Sequence, residues 1–515
     1  VQSHSLRTEL KRGSQKRGRE IRFVLLAALI VTAASSPALA GDGAGPPNFI
    51  IIFADDQGYQ DIGCFGSPDL RTPRLDAMAD EGMKFTSFYA QPVCGPSRAA
   101  LMTGCYPMRV AERDHTKQVH PILHSDEITI AEILKTKGYA TACFGKWDLA
   151  KHAQTGFHID LFPTRQGFDY FYGTPTSNDR LVNLYRDEEL IEKSTDMATL
   201  TQRYTDEAIA FIEMNQNQPF FVYLPHTMPH TKLDASAEFK GRSSRGLYGD
   251  VIEELDFNVG RILDALDELK LAENTYVIYT SDNGPWLIKN RNHEDGHRPG
   301  DHGGSAGPLR SGKVSTFEGG VRVPMILWGP GRVPAGTTCN SIASTMDILP
   351  TLATLAGAEV PSDRVIDGEE ITHLFYGRFD EANPDKVYFY YLHVHLQAVR
   401  QGRWKLHLPR AKEAVAASPF SQNPHVAPTD REGFDELFLV DLDSDLGETT
   451  NVAAKHPEVV KRLLALVAAM RADLGDYNHV GKNMRFFDPM EVRPLTPPIP
   501  PPRFPKPKTP AGTRK

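Results

Sequence analysis

The sequence predicts a large α/β sheet covered by helices, followed by a smaller α+β region. Three observations predict it. Short continuous apolar runs recur from Asn48 to Trp328, stretches with helical patterning alternate with them, and the runs end in polar or charged residues. Runs this short and unbroken read as strands buried on both faces, the pattern of a parallel sheet. Alternation of such strands with helices builds an open sheet with helical layers.

In chain order, Lys11 to Arg22 is strongly basic, Phe23 to Val31 is apolar, and Ala38-Leu39-Ala40 precedes Gly41. That is the pattern of a secretory signal peptide, residues 1–40, with an A-x-A cleavage site. The apolar run is short for a membrane span, and an uncleaved anchor is the alternative reading. The next run, Asn48 to Ala54, is a buried strand ending in Asp55-Asp56. Tyr139 to Gly145 ends in Lys146, Phe220 to Leu224 leads to His226 and His230, Thr275 to Ser281 ends in Asp282-Asn283, and Val323 to Trp328 is a further strand. Helices are expected over Arg74–Glu81, Thr199–Asn215, Asp250–Lys270 and Asp347–Ala356. Thr129-Ile130-Ala131-Glu132 is a capping box for another, closed by Gly138.

After about Pro384 the pattern changes. Val387–Leu392, Ala398–Leu408 and Glu436–Asp441 suit short antiparallel strands, and His456–Asp473 suits a helix. We therefore expect a main domain over 47–383, a smaller domain over 384–484 and a Pro-rich extended tail over 485–515.

The formal charge is −8, and without residues 1–40 it becomes −13, with 50 basic and 63 acidic residues. Such a chain is a poor nucleic-acid binder and repels polyanions, so an anion site must be locally positive. Five cysteines stand at 64, 94, 105, 143 and 339. If Cys94 is set aside, four allow three pairings; an exported chain permits them, and free buried thiols fit equally well.

Ligands in open α/β sheets bind beyond the carboxyl ends of the strands. Asp55, Asp56, Lys146, His226, His230, Asp282 and Asn283 all fall there, so they can converge on one site. The oxygen donors Asp55, Asp56, Asp282 and Asn283 suit Ca²⁺ first and Mg²⁺ second, although an acidic pair alone is more often a solvated loop. Gln91 to Gly104 supplies a further element. Pro96 suits the first position of a helix and Gly104 its end, which puts Cys94 just ahead of a helix N-terminus with Arg98 one turn inside. That places either a nucleophile beside an anion site or a structural cysteine there.

Cys94-Gly95-Pro96-Ser97-Arg98 followed by Thr103-Gly104 resembles the signature of the formylglycine-dependent sulfatases. Other matches run in family order from about Asn48 to about Leu474, and they most resemble the arylsulfatase A and N-acetylgalactosamine-6-sulfatase branch. The resemblance implies an alkaline-phosphatase-like large mixed sheet, hydrolysis of sulfate esters and a sulfated carbohydrate substrate. It also implies oxidation of Cys94 to formylglycine by a maturation enzyme, and Ca²⁺ held by Asp55, Asp56, Asp282, Asn283 and the modified residue 94. By the same resemblance Lys146, His230 and Lys313 contact sulfate, Ser177 matches a sulfate-contacting serine, and Arg98 holds the aldehyde hydrate. In the implied reaction, residue 94 attacks sulfur, His230 or a lysine protonates the departing alcohol, and loss of a proton from the second hydroxyl releases sulfate.

One position departs from the family. Gly145-Lys146-Trp147 is followed by Asp148, where the family usually has histidine. A carboxylate can accept the same proton, but ionised it only accepts, and its charge opposes sulfate. His152 is a nearby substitute of little weight. Asn292 to His297 and His302 read as a loop at the site mouth, and less readily as a second metal site. Two further readings stay open: a phosphate or phosphonate ester hydrolase of the same architecture, and a non-catalytic binder of sulfated glycans.

Overall fold

A computed structural model of the chain describes residues 45–110, 123–150, 157–179, 181–287, 304–410, 434–477 and 479–485. The expected signal peptide, His152, the 292–302 segment and the Pro-rich tail beyond Arg485 lie outside these residues.

Eleven strands form one mixed sheet. They are β1 (Asn48–Ala54), β2 (Met83–Tyr89), β3 (Ala140–Lys146), β4 (Tyr170–Thr174), β5 (Leu184–Arg186), β6 (Glu189–Glu192), β7 (Phe220–Pro225), β8 (Thr275–Ser281), β9 (Arg322–Trp328), β10 (Thr337–Cys339) and β11 (Ala343–Ser344). Their order is β10-β2-β9-β8-β1-β7-β3-β4-β5-β6, with β11 also on β2. The block β8-β1-β7-β3-β4 is parallel throughout. β9 runs antiparallel to both β8 and β2, so β2 points the same way as the parallel block.

Every residue of β1 is buried because both faces are covered. Phe49, Ile51 and Phe53 enter one apolar layer, and Ile50, Ile52 and Ala54 enter the other. Helices Pro73–Asp80, Leu200–Met214 and Gly246–Glu268 belong with the second layer, and Ile130–Lys135 and Ile348–Leu355 with the first. The capping box holds: Glu132 N–H donates to Thr129 Oγ1 at 3.3 Å, and Thr129 N–H donates to Glu132 Oε2 at 2.8 Å.

A second, antiparallel sheet has the order β12-β13-β14-β15, from β12 (Val387–Leu392), β13 (His395–Gln401), β14 (Trp404–His407) and β15 (Phe438–Asp441). The stretch expected as one strand over Ala398–Leu408 is a hairpin, because Gly402 (φ 57°) turns the chain. Helix Pro457–Asp473 packs on this sheet, and both sheets fall in one compact unit beginning at Ala44. A shared apolar cluster joins Tyr89, Ala100 and Val321 to Tyr388, Tyr390 and Leu406.

Among the described residues all five cysteines are free thiols, and no helix is long and apolar enough to cross a membrane.

Candidate active site

The carboxyl ends of β8, β1, β7 and β3 deliver Asp282 and Asn283, Asp55 and Asp56, His226, and Lys146 side by side. The parallel end of β2 leads into Cys94. The helix there spans Cys94–Thr103, so Cys94 is its first residue and Pro96 its third, two positions from the expected start. Val93 caps it in an extended conformation, and Gly104 closes it at φ 67°. Gly145 is required just before Lys146: a Cβ there would lie 1.9 Å from the Pro225 carbonyl oxygen. This close approach of β3 to β7 sets Lys146 against the carboxylates.

Three cations meet three carboxylates. Lys146 Nζ lies 2.7 Å from Asp55 Oδ2, and Lys313 Nζ lies 2.6 Å from Asp56 Oδ1 and 3.5 Å from Cys94 Sγ. Arg98 Nη2 lies 2.9 Å from Asp282 Oδ2 and 3.4 Å from Asp55 Oδ2, while its Nη1 donates to the Lys146 carbonyl at 2.6 Å. Burial opposes ionisation of Asp55, but Lys146, His230 and Arg98 outweigh it and hold this carboxyl well below its usual range. Asp282 is pushed up to about 8 by burial and by the charge of Asp55, with Arg98 opposing. Burial also pushes the Cys94 thiol far up, against the pull of Lys146 and Lys313. A thiol so placed stays protonated and is a poor nucleophile.

His230 Nε2 stands 3.7 Å from Asp56 Oδ2 and 3.5 Å from Asp179 Oδ1, and burial, with Lys313 next, favours its neutral form. Ser177 Oγ donates to Asp179 Oδ2 at 2.9 Å, which ties Ser177 to the His230 side of the site. Asp148 is buried, its Oδ2 is 4.0 Å from Lys146 Nζ, and its charge raises both Lys146 and Cys94. Its backbone is left-handed, φ 56°, a region that Asn, Asp and His enter more readily than other side chains. Aspartate and histidine are therefore compatible occupants of this turn.

The sequence reading placed His226 with this group, but its ring does something else. Both ring nitrogens lack a hydrogen-bond partner among the described residues, and the ring faces Tyr204 at 6.3 Å. Residues the reading missed form an apolar wall. Val93, Cys94, Val314 and Leu392 cluster with Trp286, whose ring lies 5.3 Å from Lys313 Nζ. Leu392 comes from the small sheet, so local pattern could not place it. Trp286 stands three residues after Asn283 at the β8 strand end, a position that could have flagged it.

The sulfatase family model matches residues 47–358. This chain belongs to the sulfatase family. A second model, the C-terminal region of aryl-sulfatase, matches residues 383–504. The sulfatase is 40% identical to N-acetylgalactosamine-6-sulfatase of Canis lupus familiaris over 408 residues, 74% of each chain. It is 34% identical to steryl-sulfatase of Mus musculus over an alignment of 552 positions that covers 89% of this chain and 88% of that one. A solved Bacteroides thetaiotaomicron protein of glycosaminoglycan metabolism, BT33336S-sulf, superposes with a TM-score of 0.71 at 27% identity, covering 83% of this chain and 100% of that chain. The sulfatase is accordingly a sulfuric ester hydrolase with the alkaline-phosphatase-like architecture its sequence predicts.

The family generally uses Ca²⁺, and the donors of this sulfatase fit a hard cation. Among the described residues Asp55 Oδ1, Asp56 Oδ2 and Asn283 Oδ1 are buried and accept no hydrogen bond, and Asp55, Asp56 and Asp282 can each offer an oxygen within 4.8 Å of the others. Buried oxygens left without donors are costly unless a cation or water meets them.

His226 also makes the sulfatase sensitive to acid. Burial drives its pKa down to about 3, whereas an unfolded imidazole titrates near ~6.5. The unfolded chain thus binds a proton that the folded chain refuses. The stability is complete above that value and is lost as pH falls toward 3. Between pH 7 and 4 we expect a loss on the order of 3 kcal/mol from this residue, read by denaturant unfolding. His226→Phe should flatten that dependence, and an unchanged slope in the variant would refute it.

Proposed function

We propose that this sulfatase hydrolyses sulfate esters of carbohydrates, using formylglycine made from Cys94 by a maturation enzyme and Ca²⁺ held by Asp55, Asp56, Asp282 and Asn283. The observation that carries the reading is the set of buried, unpartnered oxygens next to a cysteine flanked by Lys146 and Lys313. Hydrated formylglycine supplies an oxygen nucleophile where the thiol is unreactive, and bound Ca²⁺ supplies Lewis acidity toward a sulfate oxygen.

The chain's own residues do the rest. Lys146 and Lys313 neutralise charge on the sulfate oxygens, and Ser177 adds a hydroxyl on the His230 side. His230 gives a proton to the departing alcohol oxygen, the anionic ester favouring that proton. Asp148 takes a proton from the residue 94 hydroxyl in the second half of the reaction. Arg98 fixes Asp55, Asp282 and the end of β3 relative to one another. The same proposal assigns catalysis to 47–383, a supporting domain to 384–484, and export to a chain that loses residues 1–40.

The wall of Val93, Val314, Leu392 and Trp286 favours a second reading, a sulfate ester of a hydrophobic alcohol, in line with the steryl-sulfatase relative. Comparison of kcat/KM on N-acetylgalactosamine 6-sulfate and on a steroid sulfate separates the two. We expect the sugar ester to be preferred by at least ~10-fold, and a reversed preference would establish the hydrophobic alcohol instead.

A further inference from the structure

The loop that carries Lys313 is held from outside the large sheet. Ser311 and Val314, on either side of Lys313, have left-handed backbones, φ 65° and 70°. For a β-branched valine this is a strained conformation, and it persists only where the surroundings over-determine it. The small sheet supplies much of that constraint. Lys405, on β14, is fully buried, and three acceptors lie in reach of its ammonium: the Thr316 carbonyl oxygen at 2.8 Å, Glu318 Oε1 at 2.9 Å and Glu448 Oε1 at 2.8 Å. An ammonium has three hydrogens, so each can be used. Glu448 extends the hold. Its Oε2 accepts the Glu318 N–H at 2.6 Å, and its carbonyl accepts from Arg310 Nη1 at 2.9 Å. The Thr316 hydroxyl donates to Gln397 Oε1, on β13, at 2.8 Å. The loop is therefore tied down at Arg310 and again at Thr316–Glu318, and between these anchors Lys313 reaches Asp56 and Cys94.

We propose that Lys405 is a positioning residue for sulfate-ester hydrolysis, acting through the Thr316–Glu318 backbone to hold the Lys313 ammonium beside residue 94. This rests on the reading of Lys313 as a sulfate ligand. Among the described residues the partners of Lys405 are those of the loop and Glu448, not the carboxylates of the site or Cys94, so its influence passes through the loop.

The test is a double-mutant cycle on the full-length, formylglycine-bearing enzyme with an aryl sulfate as substrate. Lys405→Met should lower kcat/KM by ~10- to 100-fold, the scale of a misplacement of about 1 Å. In the Lys313→Ala background the same substitution should cost less than about twofold, because the group it positions is gone. Since taking the Lys405 ammonium away from buried Glu318 and Glu448 can prevent folding, Thr316→Val is the second variant. It keeps the Lys405 contacts and removes only the hydroxyl, with its bonds to Gln397 Oε1 at 2.8 Å and from Arg410 Nη2 at 3.2 Å, and should give a smaller loss that also vanishes in the Lys313→Ala background. Equal losses in both backgrounds would overturn the proposal and leave Lys313 as a sulfate ligand. Undiminished turnover by Lys313→Ala alone would overturn the sulfate-ligand reading, and this proposal with it.

Discussion

Replacing Cys94 with alanine is expected to lower sulfate-ester turnover by ~10⁴-fold or more while the fold persists, the scale on which enzymes lose a nucleophile. The two halves of this expectation have separate causes. On the proposed function, turnover falls because Lys146, Lys313 and the carboxylates that would hold Ca²⁺ remain to bind and polarise sulfate but no atom is left to attack it. The fold persists because the thiol is a small side chain against Val93, Val314 and Leu392, and its polar contact among the described residues is a long one, to Lys313 at 3.5 Å. Truncating it removes little packing, ~1 kcal/mol. Steady-state kinetics and thermal unfolding of parent and variant measure the two halves. The mass of the parent peptide bearing residue 94 decides the chemistry: an aldehyde supports formylglycine, and an unmodified thiol in an active parent would refute it. Full hydrolysis by the alanine variant would move the nucleophile elsewhere.

How far the fold and the site could be read in the sequence depended on whether the signal was local. β1 and β8 were legible to the residue, Asn48–Ala54 and Thr275–Ser281, because burial on both faces demands an unbroken apolar run with polar residues after it. β2 escaped the reading, since Lys84, Thr86 and Ser87 interrupt its apolar pattern, with Lys84 and Thr86 only half-buried. It is nonetheless the strand that aims Cys94 at the site. The convergence of Asp55, Asp56, Lys146, Asp282 and Asn283 at the strand ends was legible for a topological reason: parallel neighbours bring distant carboxyl ends together without any sequence proximity. His226 shows the limit of that reasoning, because it occupies a strand end yet turns its ring toward Tyr204. Leu392 and Lys405 show another. Both come from the small sheet, and their relation to residue 94 and to the Lys313 loop exists only once the two sheets pack.

Arg98→Met should destabilise the folded chain by ~3–5 kcal/mol in calcium-free buffer, the cost of leaving buried charge without its partner. Methionine keeps an apolar stem near Phe53, whose ring centroid lies 5.6 Å from the guanidinium carbon. What is lost is electrostatic. Asp282 Oδ2 loses its 2.9 Å partner, Asp55 Oδ2 loses one of two cations, and the Lys146 carbonyl loses its donor. Asp282, already pushed up to about 8 by burial and by Asp55, is then driven further toward its protonated form, since Arg98 was the group opposing that rise. Added Ca²⁺ brings positive charge back to the same carboxylates. At ~100 times its dissociation constant, an ion that binds only the folded state adds about 2.7 kcal/mol; without Arg98 the carboxylates are more negative and hold the ion more tightly than in the parent, so the gap between parent and variant should narrow as the ion is supplied. Urea unfolding of both proteins with and without Ca²⁺ measures that gap. A loss below ~1 kcal/mol would mean that Lys146 alone is counter-charge enough for Asp55 in the calcium-free chain. A gap that Ca²⁺ leaves unchanged would mean that the ion does not bind where Arg98 supplies counter-charge, which would remove Asp55 and Asp282 from the metal site.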